Sequence, residues 1–424
     1  MLQPYLKQKK LKPTSLRYVK RLKYFCTVQK ETKYSQVEFV ALMAALMSVV
    51  ALAIDALLPA LDVIGIAIGT ANTIDNQLLI TMIFLGMGIG PLFFGPISDA
   101  TGRKPVVYVG LSIFLAASIL CVNAESLEVM IIGRILQGIG LSAPRTISIA
   151  IIRDMFSGDH MARIMSFVTV VFILVPIIAP AMGKLILDSY NWRGIFYVQV
   201  VISLIVGIWF WIRQPETLPY QKRKKLSKHV FIDGFKEVIR QKTTMGYTLI
   251  SGFVTGSFFV YLSSSQQIFQ EQYQLKEEFP YIFAGLAIAI GTAIFLNGTL
   301  VLKYGMTKLI TTSLLGFFGV SLLYILLFHN SPNPSLAVLL VFFALQFFAI
   351  GFLFGNLRAM AMEPVGHIAG VASAITGFIS ILLAVPISIF IGRFISSSVL
   401  PLFVGFSLCS IVAIGILYYV KRSR

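Results

Sequence analysis

The sequence predicts an all-α membrane protein, with twelve transmembrane helices in two six-helix, pseudo-symmetric bundles. Three observations carry this. Of 424 residues, 57% are apolar and only 12% charged, about half the charged share of a soluble globular chain. Uncharged runs of spanning length, roughly 20 residues for a hydrocarbon core about 30 Å thick, recur twelve times. These runs fall into two sets of six, separated by a basic segment, and leave no room for a large soluble domain.

The first set lies near residues 39–61, 77–98, 105–123, 129–152, 164–183 and 194–212. The second lies near 245–268, 279–302, 309–328, 335–357, 368–392 and 394–420. The organisation that follows is a basic tail over 1–36, a first bundle over 37–213, a linker over 214–243 and a second bundle over 244–424. The formal charge of +17 reads as loop charge that sets orientation rather than as a nucleic-acid surface. With the N-terminus cytoplasmic, the loops on the opposite side hold only Lys184, Arg193, Lys276 and Arg393, so both termini are expected inside. The tail is either a helix lying on anionic lipid, with Leu11, Leu16, Leu22 and Phe25 among its Lys and Arg residues, or a solvated extension.

Internal repetition supports the two halves. Gly95-Pro-Ile-Ser-Asp99-Ala-Thr-Gly102-Arg103-Lys104 follows the second span, and Gly298-Thr-Leu-Val-Leu302-Lys-Tyr-Gly305 follows the eighth, offset by 203 residues. Gly95 and Gly102 permit close backbone approach and positive φ in a tight turn. Asp99 is suited to a neighbouring helix N-terminus, where a carboxylate gains roughly 0.3–1 kcal/mol. The beginning of the eleventh span, near Pro364–Ile368, is the expected partner. Arg103 and Lys104 then complete a conformational latch between the halves, or act only as inside charges.

Three formal charges fall within the spans: Asp55 in the first, Arg134 and Arg145 in the fourth. A charge at a helix centre costs about 2.5–3.5 kcal/mol to insert, so each must face the interior and have a partner. Asp55 and Arg134 lie at similar depth and are expected to meet, either as a proton-coupling pair or as a fixed structural one. Arg145 is eleven residues beyond Arg134, on nearly the same helix face and about 16 Å deeper, with Gln137 on the same stripe. It reads as a cavity residue or as an inner-gate or headgroup contact. Phe258, Tyr261 and Gln266, from an aromatic and polar run in the seventh span, are the expected contribution of the second half to a substrate cavity. Pro176, Pro180 and Gly183 in the fifth span permit kinking and close packing.

These runs resemble those of a known family. The run Gly95–Pro105 is similar to the loop signature of the major facilitator superfamily. Arg134-Ile-Leu-Gln137-Gly138-Ile-Gly140 resembles its fourth-helix signature, and Pro176-Ile-Ile-Ala179-Pro180-Ala-Met-Gly183 its fifth-helix antiporter signature. Asp55-Ala-Leu-Leu-Pro59, Ile152–Phe156 and Pro215-Glu216-Thr217-Leu218 narrow the likeness to Bcr/CflA-type drug:proton antiporters. Asp99 is followed by Ala100 where that pattern commonly has Arg, and Gly183 by Lys184 where a second glycine is common. The resemblance implies rocking-bundle alternating access, proton-coupled export across a bacterial inner membrane, and a coupling role for Asp55 and Arg134.

The expected function is therefore a secondary transporter that exports drug-like or small amphipathic compounds. A dedicated metabolite or siderophore transporter is the first alternative, and a membrane sensor or enzyme the second. No phosphate-binding loop of the GxxxxGK[ST] type occurs. The four histidines fall in loops or at span ends, and Cys26, Cys121 and Cys409 have no metal-site spacing. Neither cofactor nor metal is expected: the proton gradient is the energy source. The expected partners are the substrate, protons and membrane lipid, with no nucleic acid and no obligate protein.

Overall fold

Short polar residues open the long helices, and glycines turn the chain between them. In the computed structural model, which describes residues 35–70, 72–223 and 228–422, Ser35 caps the first helix by accepting from Glu38 N (3.2 Å). Ser126 accepts from Val129 N (3.4 Å) and Asn191 from Gly194 N (3.2 Å) in the same way. Each cap satisfies a donor that has no partner within its own helix. The basic tail to Lys33 lies outside the described residues.

The first half comprises α1 (Gln36–Asp55), the short α2 (Leu61–Ala67), α3 (Leu78–Thr101), α4 (Arg103–Val122), α5 (Leu127–Met155), α6 (Gly158–Ser189) and α7 (Trp192–Arg213). The amphipathic α8 (Lys228–Arg240) lies in the expected linker. The second half comprises α9 (Lys242–Gln266), α10 (Phe279–Tyr304), α11 (Met306–Phe328), α12 (Leu336–Met362), α13 (Ala369–Gly392) and α14 (Leu400–Arg422). Twelve of these helices have 20 residues or more among the described residues. The fold is thus the all-helical membrane architecture that composition and run length imply. The twelve crossings bring residues 35 and 422 to one face, called here the terminal side, and the opposite face is the far side.

The glycine repeat has a structural basis. Gly102 joins α3 to α4 and Gly305 joins α10 to α11, each as a single residue at positive φ (+110° and +78°). Only glycine enters that region without Cβ strain. Gly95 behaves differently: it lies inside α3 with open space where a Cβ would stand, so it forms no part of the turn. A second repeated feature lies deep in each half. Gln137 Nε2 donates to Ser118 Oγ (2.8 Å), and Gln346 Nε2 donates to Ser321 Oγ. Ser118 and Ser321 are 203 residues apart.

Within the first half, α5 packs on α3 and α4, and α1 on α6 and α7. Within the second, α9 packs on α12, α13 and α14, while α12 also packs on α10 and α11. The halves meet along α3 against α13 and α6 against α10. Outward faces carry apolar side chains such as Phe295, Leu302 and Trp211, as lipid contact requires.

Candidate functional site

The end of α1 is set by Pro59. That residue has no N–H to give the Asp55 carbonyl four positions earlier, so the regular helix stops at Asp55 and tightens into the 3-10 turn Leu58–Ala60. Asp55 is thereby held, buried at 5% exposure, on a broken helix in mid-molecule. Gly183 of α6 lies against the backbone beside it, where a Cβ would come within 2.0 Å of Ala56 O. Pro180 of the same stretch is buried and Pro176 partly so, and both are accommodated within the continuous α6. The fifth-span residues therefore fit α6 against the turn that carries Asp55.

Arg134 is fully buried, and its guanidinium is held by uncharged acceptors. Its Nε donates to Leu79 O (2.6 Å), and its Nη1 to Ala53 O (3.0 Å) and to Gln137 Oε1 (2.8 Å). Nη2 has no hydrogen-bond partner among the described residues. The sequence expectation that Asp55 and Arg134 form a pair is thus not met in this state: among the described residues no ion pair involves either. The reason is local. The Ala53 carbonyl, freed near the broken end of α1, takes the place of the carboxylate two residues away. Gln137 does not line a cavity either, because both ends of its amide are used in tying Arg134 to Ser118.

Tyr261 enters from the second half. It is 2% exposed and packs against Phe283, Phe343 and Phe347, with ring centroids 6.3, 5.2 and 4.5 Å away. Phe258 extends the cluster toward Phe347 and Phe354. The Tyr261 hydroxyl has no hydrogen-bond partner among the described residues.

Gln266, expected in the cavity, belongs elsewhere. Its Nε2 donates to Asp62 of the first half and to Gln270 Oε1 (3.2 Å), so it fastens the far side. Beside it Gln77 Nε2 donates to Gln267 Oε1 (2.8 Å) and to Gly392 O (3.4 Å), and Lys184 pairs with Glu277 (3.0 Å). Among the described residues, these polar links between the two bundles all lie on the far side.

On the terminal side the expected latch is rearranged. Arg103 Nη1 pairs with Asp99 (2.6 Å) and Nε with Asp154 (2.7 Å), and Nη1 also donates to Ser98 Oγ (2.7 Å). Asp99 therefore neutralises Arg103 within its own half, and no hydrogen bond among the described residues carries it to Pro364–Ile368. The acid that does bind a helix N-terminus is Glu216, whose carboxylate accepts from Arg103 N (3.0 Å) and Lys104 N (3.1 Å). Lys104 Nζ in turn donates to Trp211 O (3.2 Å). Sequence reasoning does not single out Glu216 and Asp154 as site residues, although both stand in short runs that carry the family resemblance. Arg145 is exposed on α5 and has no hydrogen bond or ion pair among the described residues.

The profile of the Major Facilitator Superfamily matches residues 39–384. The chain belongs to that superfamily. This major facilitator is 30% identical over 321 residues to the MFS-type transporter YdgK of Bacillus subtilis, covering 74% of this chain and 79% of that one. It is 25% identical over 366 residues to a bicyclomycin resistance protein homolog of Haemophilus influenzae, covering 82% and 87%. It is 27% identical over 364 residues to the multidrug resistance protein MdtL of Salmonella paratyphi A, covering 83% and 88%. The solved structure of the human organic anion transporter MFSD10 superposes with a TM-score of 0.63 at 17% identity, covering 91% of this chain and all of that one. The last match shows the fold alone. As a major facilitator the chain is a transporter and not an enzyme, which removes the sensor and enzyme alternatives.

Proposed function

We propose that this transporter exports drug-like, amphipathic compounds in exchange for protons, from the cytoplasm across a bacterial inner membrane, with both termini cytoplasmic. The observation that carries the reading is Asp55: a carboxyl group buried at a broken helix end with no cation paired to it among the described residues. A carboxyl so placed can take up a proton, because desolvation disfavours its charged form. The names of the bicyclomycin-resistance and multidrug-resistance relatives support the substrate class.

In this reading Arg134 holds the means of discharge. Its unused Nη2 lies on a guanidinium already bonded to the Ala53 carbonyl. A small rotation of the α1 end brings Asp55 to that donor, favours the carboxylate and releases the proton. With Asp55 charged and held by Arg134, the substrate-loaded halves close on the terminal side and open on the far side. A proton taken up there neutralises Asp55, and the neutral carrier returns to the present arrangement, in which Asp55 is free of Arg134. The chain needs no cofactor, and its two bundles rock about the α3–α13 and α6–α10 seams. Gly183 keeps the Asp55 turn sealed against α6, and the Asp99–Arg103–Asp154 cluster with Glu216 serves as the terminal-side latch.

The test is transport by the purified protein in proteoliposomes, with norfloxacin as the probe. An imposed pH difference drives uptake by the wild type, and collapse of the difference stops it. Asp55→Asn removes proton-driven uptake while leaving downhill exchange. Uptake by Asp55→Asn at the wild-type, pH-dependent rate overturns the proton role.

A further inference from the structure

The apolar arc of the linker helix α8 (Lys228–Arg240) is wider than the contact that buries it. On one side Val238 is fully buried, in a small cluster with Val365, Ala372 and Ile375, and Gly234 lies against Val371 of α13. Next to that side stand Ile232, Phe235 and Ile239, each 38–48% exposed. At 3.6 residues per turn these three fall within about 60° of one another, so they form one stripe along the helix. The packing partners of α8 are α13, α9 and the turn Glu363–Ile368, all in the second half, and among the described residues nothing covers the stripe. A helix of 13 residues is too short to cross a bilayer, so the stripe is not the outer face of a span.

Position and charge identify what covers it. Gln241 alone separates α8 from the start of α9, and the α13 residues grouped with Gly234 and Val238 are Val371, Ala372 and Ile375, in the first two turns of that helix. The linker helix therefore lies where two crossing helices begin, at the boundary between hydrocarbon and headgroups on the terminal side. The charges on α8 are also sorted. Measured from the centre of the stripe, Lys236 and Arg240 lie about 70° and 110° away, whereas Asp233 and Glu237 lie about 130° and 170° away. The bases thus stand nearer the stripe and the acids on the side turned from it, where Glu237 pairs with His367 Nε2 (2.8 Å). An apolar stripe flanked by bases is complementary to an anionic lipid surface, with the apolar groups among the first acyl carbons and the cations at the phosphates.

We propose that α8 docks on anionic phospholipid in the leaflet of the terminal side, with Ile232, Phe235 and Ile239 in the headgroup boundary and Lys236 and Arg240 on the lipid phosphates. Because α8 is fixed to α13 and α9, a lipid that holds this helix holds the second bundle. Anionic lipid then biases the tilt of that bundle to the extent that the two states present α8 differently to the leaflet. The inference depends neither on proton coupling nor on the substrate.

The experiment uses the full-length protein in phosphatidylcholine nanodiscs, with Cys26, Cys121 and Cys409 replaced by alanine and one fluorophore attached at Phe235→Cys, Ile239→Cys or Asp233→Cys. Quenching is measured with spin-labelled phosphatidylglycerol, with spin-labelled phosphatidylcholine and with aqueous iodide. Labels at 235 and 239 are quenched by lipid and shielded from iodide, and the label at 233 shows the reverse. Phosphatidylglycerol is preferred at 235 and 239 by roughly fivefold or more, the factor that one basic residue near the surface supplies. Lys236→Gln/Arg240→Gln removes the preference while phosphatidylcholine still quenches, and Lys236→Arg/Arg240→Lys keeps it, which separates loss of charge from loss of fold. A label at Phe295→Cys, on the lipid face of α10, is quenched by lipid in every variant and reports insertion. Iodide quenching at 235 and 239 equal to that at 233 places the stripe in water, and shielding from lipid and iodide alike places it under protein; either result overturns the proposal. Equal quenching by the two lipids, or a preference that survives the double glutamine substitution, overturns it as well.

Discussion

Arg134 shows how one side chain can serve three elements at once. Its fork reaches Leu79 O on α3, Ala53 O on α1 and Gln137 Oε1 on its own helix, three acceptors in directions that a planar, five-donor head can span and an ammonium cannot. Arg134→Lys is therefore expected to lower proton-driven uptake at least tenfold while the protein still inserts. Arg134→Ala leaves buried acceptors unpaired at about 1–3 kcal/mol each, and a lower melting temperature in detergent checks it. That Asp55 and Arg134 lie inside the molecule was legible in the sequence, because a charge within a long apolar run is too costly to face lipid. What each touches was not legible, since the competing acceptor is the Ala53 backbone carbonyl and every residue has one. Gln137 and Gln266 misled for a related reason. An amide pattern shows that a polar group is buried, but not whether its partner is a ligand, as expected for both, or protein, as the structure has it.

Helix contacts in the first half rest on absent side chains. A Cβ on Gly86 would stand 2.1 Å from Ile135 O, and one on Gly138 would stand 2.0 Å from Ile83 O, so α3 and α5 touch backbone to backbone. Gly138→Ala must push the helices apart, and overpacking of this kind costs about 1–3 kcal/mol. A melting temperature lowered by several degrees is the expected outcome, whereas Gly95→Ala, with open space at that position, leaves it unchanged. Glu216 makes the corresponding point for a helix end. Its two oxygens accept the first N–H groups of α4, where the helix dipole favours negative charge. Glu216→Ala is expected to raise hydrogen exchange at Arg103 and Lys104 and to slow transport. The long helices were legible because hydrophobic runs of spanning length have one stable form in lipid. The linker helix α8 was not, since its length and mixed polarity also suit a loop. Its identity comes from contact with α13 and the turn before it, through His367 Nε2 and Glu237 (2.8 Å) and Gly234 against Val371.

The polar links that close the far side are few and weak, which suits a two-state machine. On the far side the links are Gln77 with Gln267 and Gly392, Gln266 with Asp62, and Lys184 with Glu277. A neutral hydrogen bond contributes roughly 0.5–1.5 kcal/mol and one to a carboxylate such as Asp62 about 1.5–3 kcal/mol, and a partly exposed ion pair such as Lys184–Glu277 about 1 kcal/mol or less. Their sum is of the same order as the differential binding energy a ligand brings to a conformational equilibrium. These polar links therefore add no large barrier to opening, and no single one of them is decisive. If these links are the moving gate, tying them covalently must stop the cycle. Gln77→Cys/Gln267→Cys, cross-linked by a short bismaleimide, is expected to reduce proton-driven uptake at least tenfold. A reducible linker of similar length makes the block reversible by a thiol. The control is Asn297→Cys/Asn356→Cys, replacing a pair that is hydrogen-bonded within the second half (2.7 Å), where the same reagent leaves uptake unchanged because nothing need separate there. Full transport by the cross-linked Gln77/Gln267 variant means that the far-side contacts persist through the cycle, and the seam along α3 and α13 is then not the axis about which the bundles tilt.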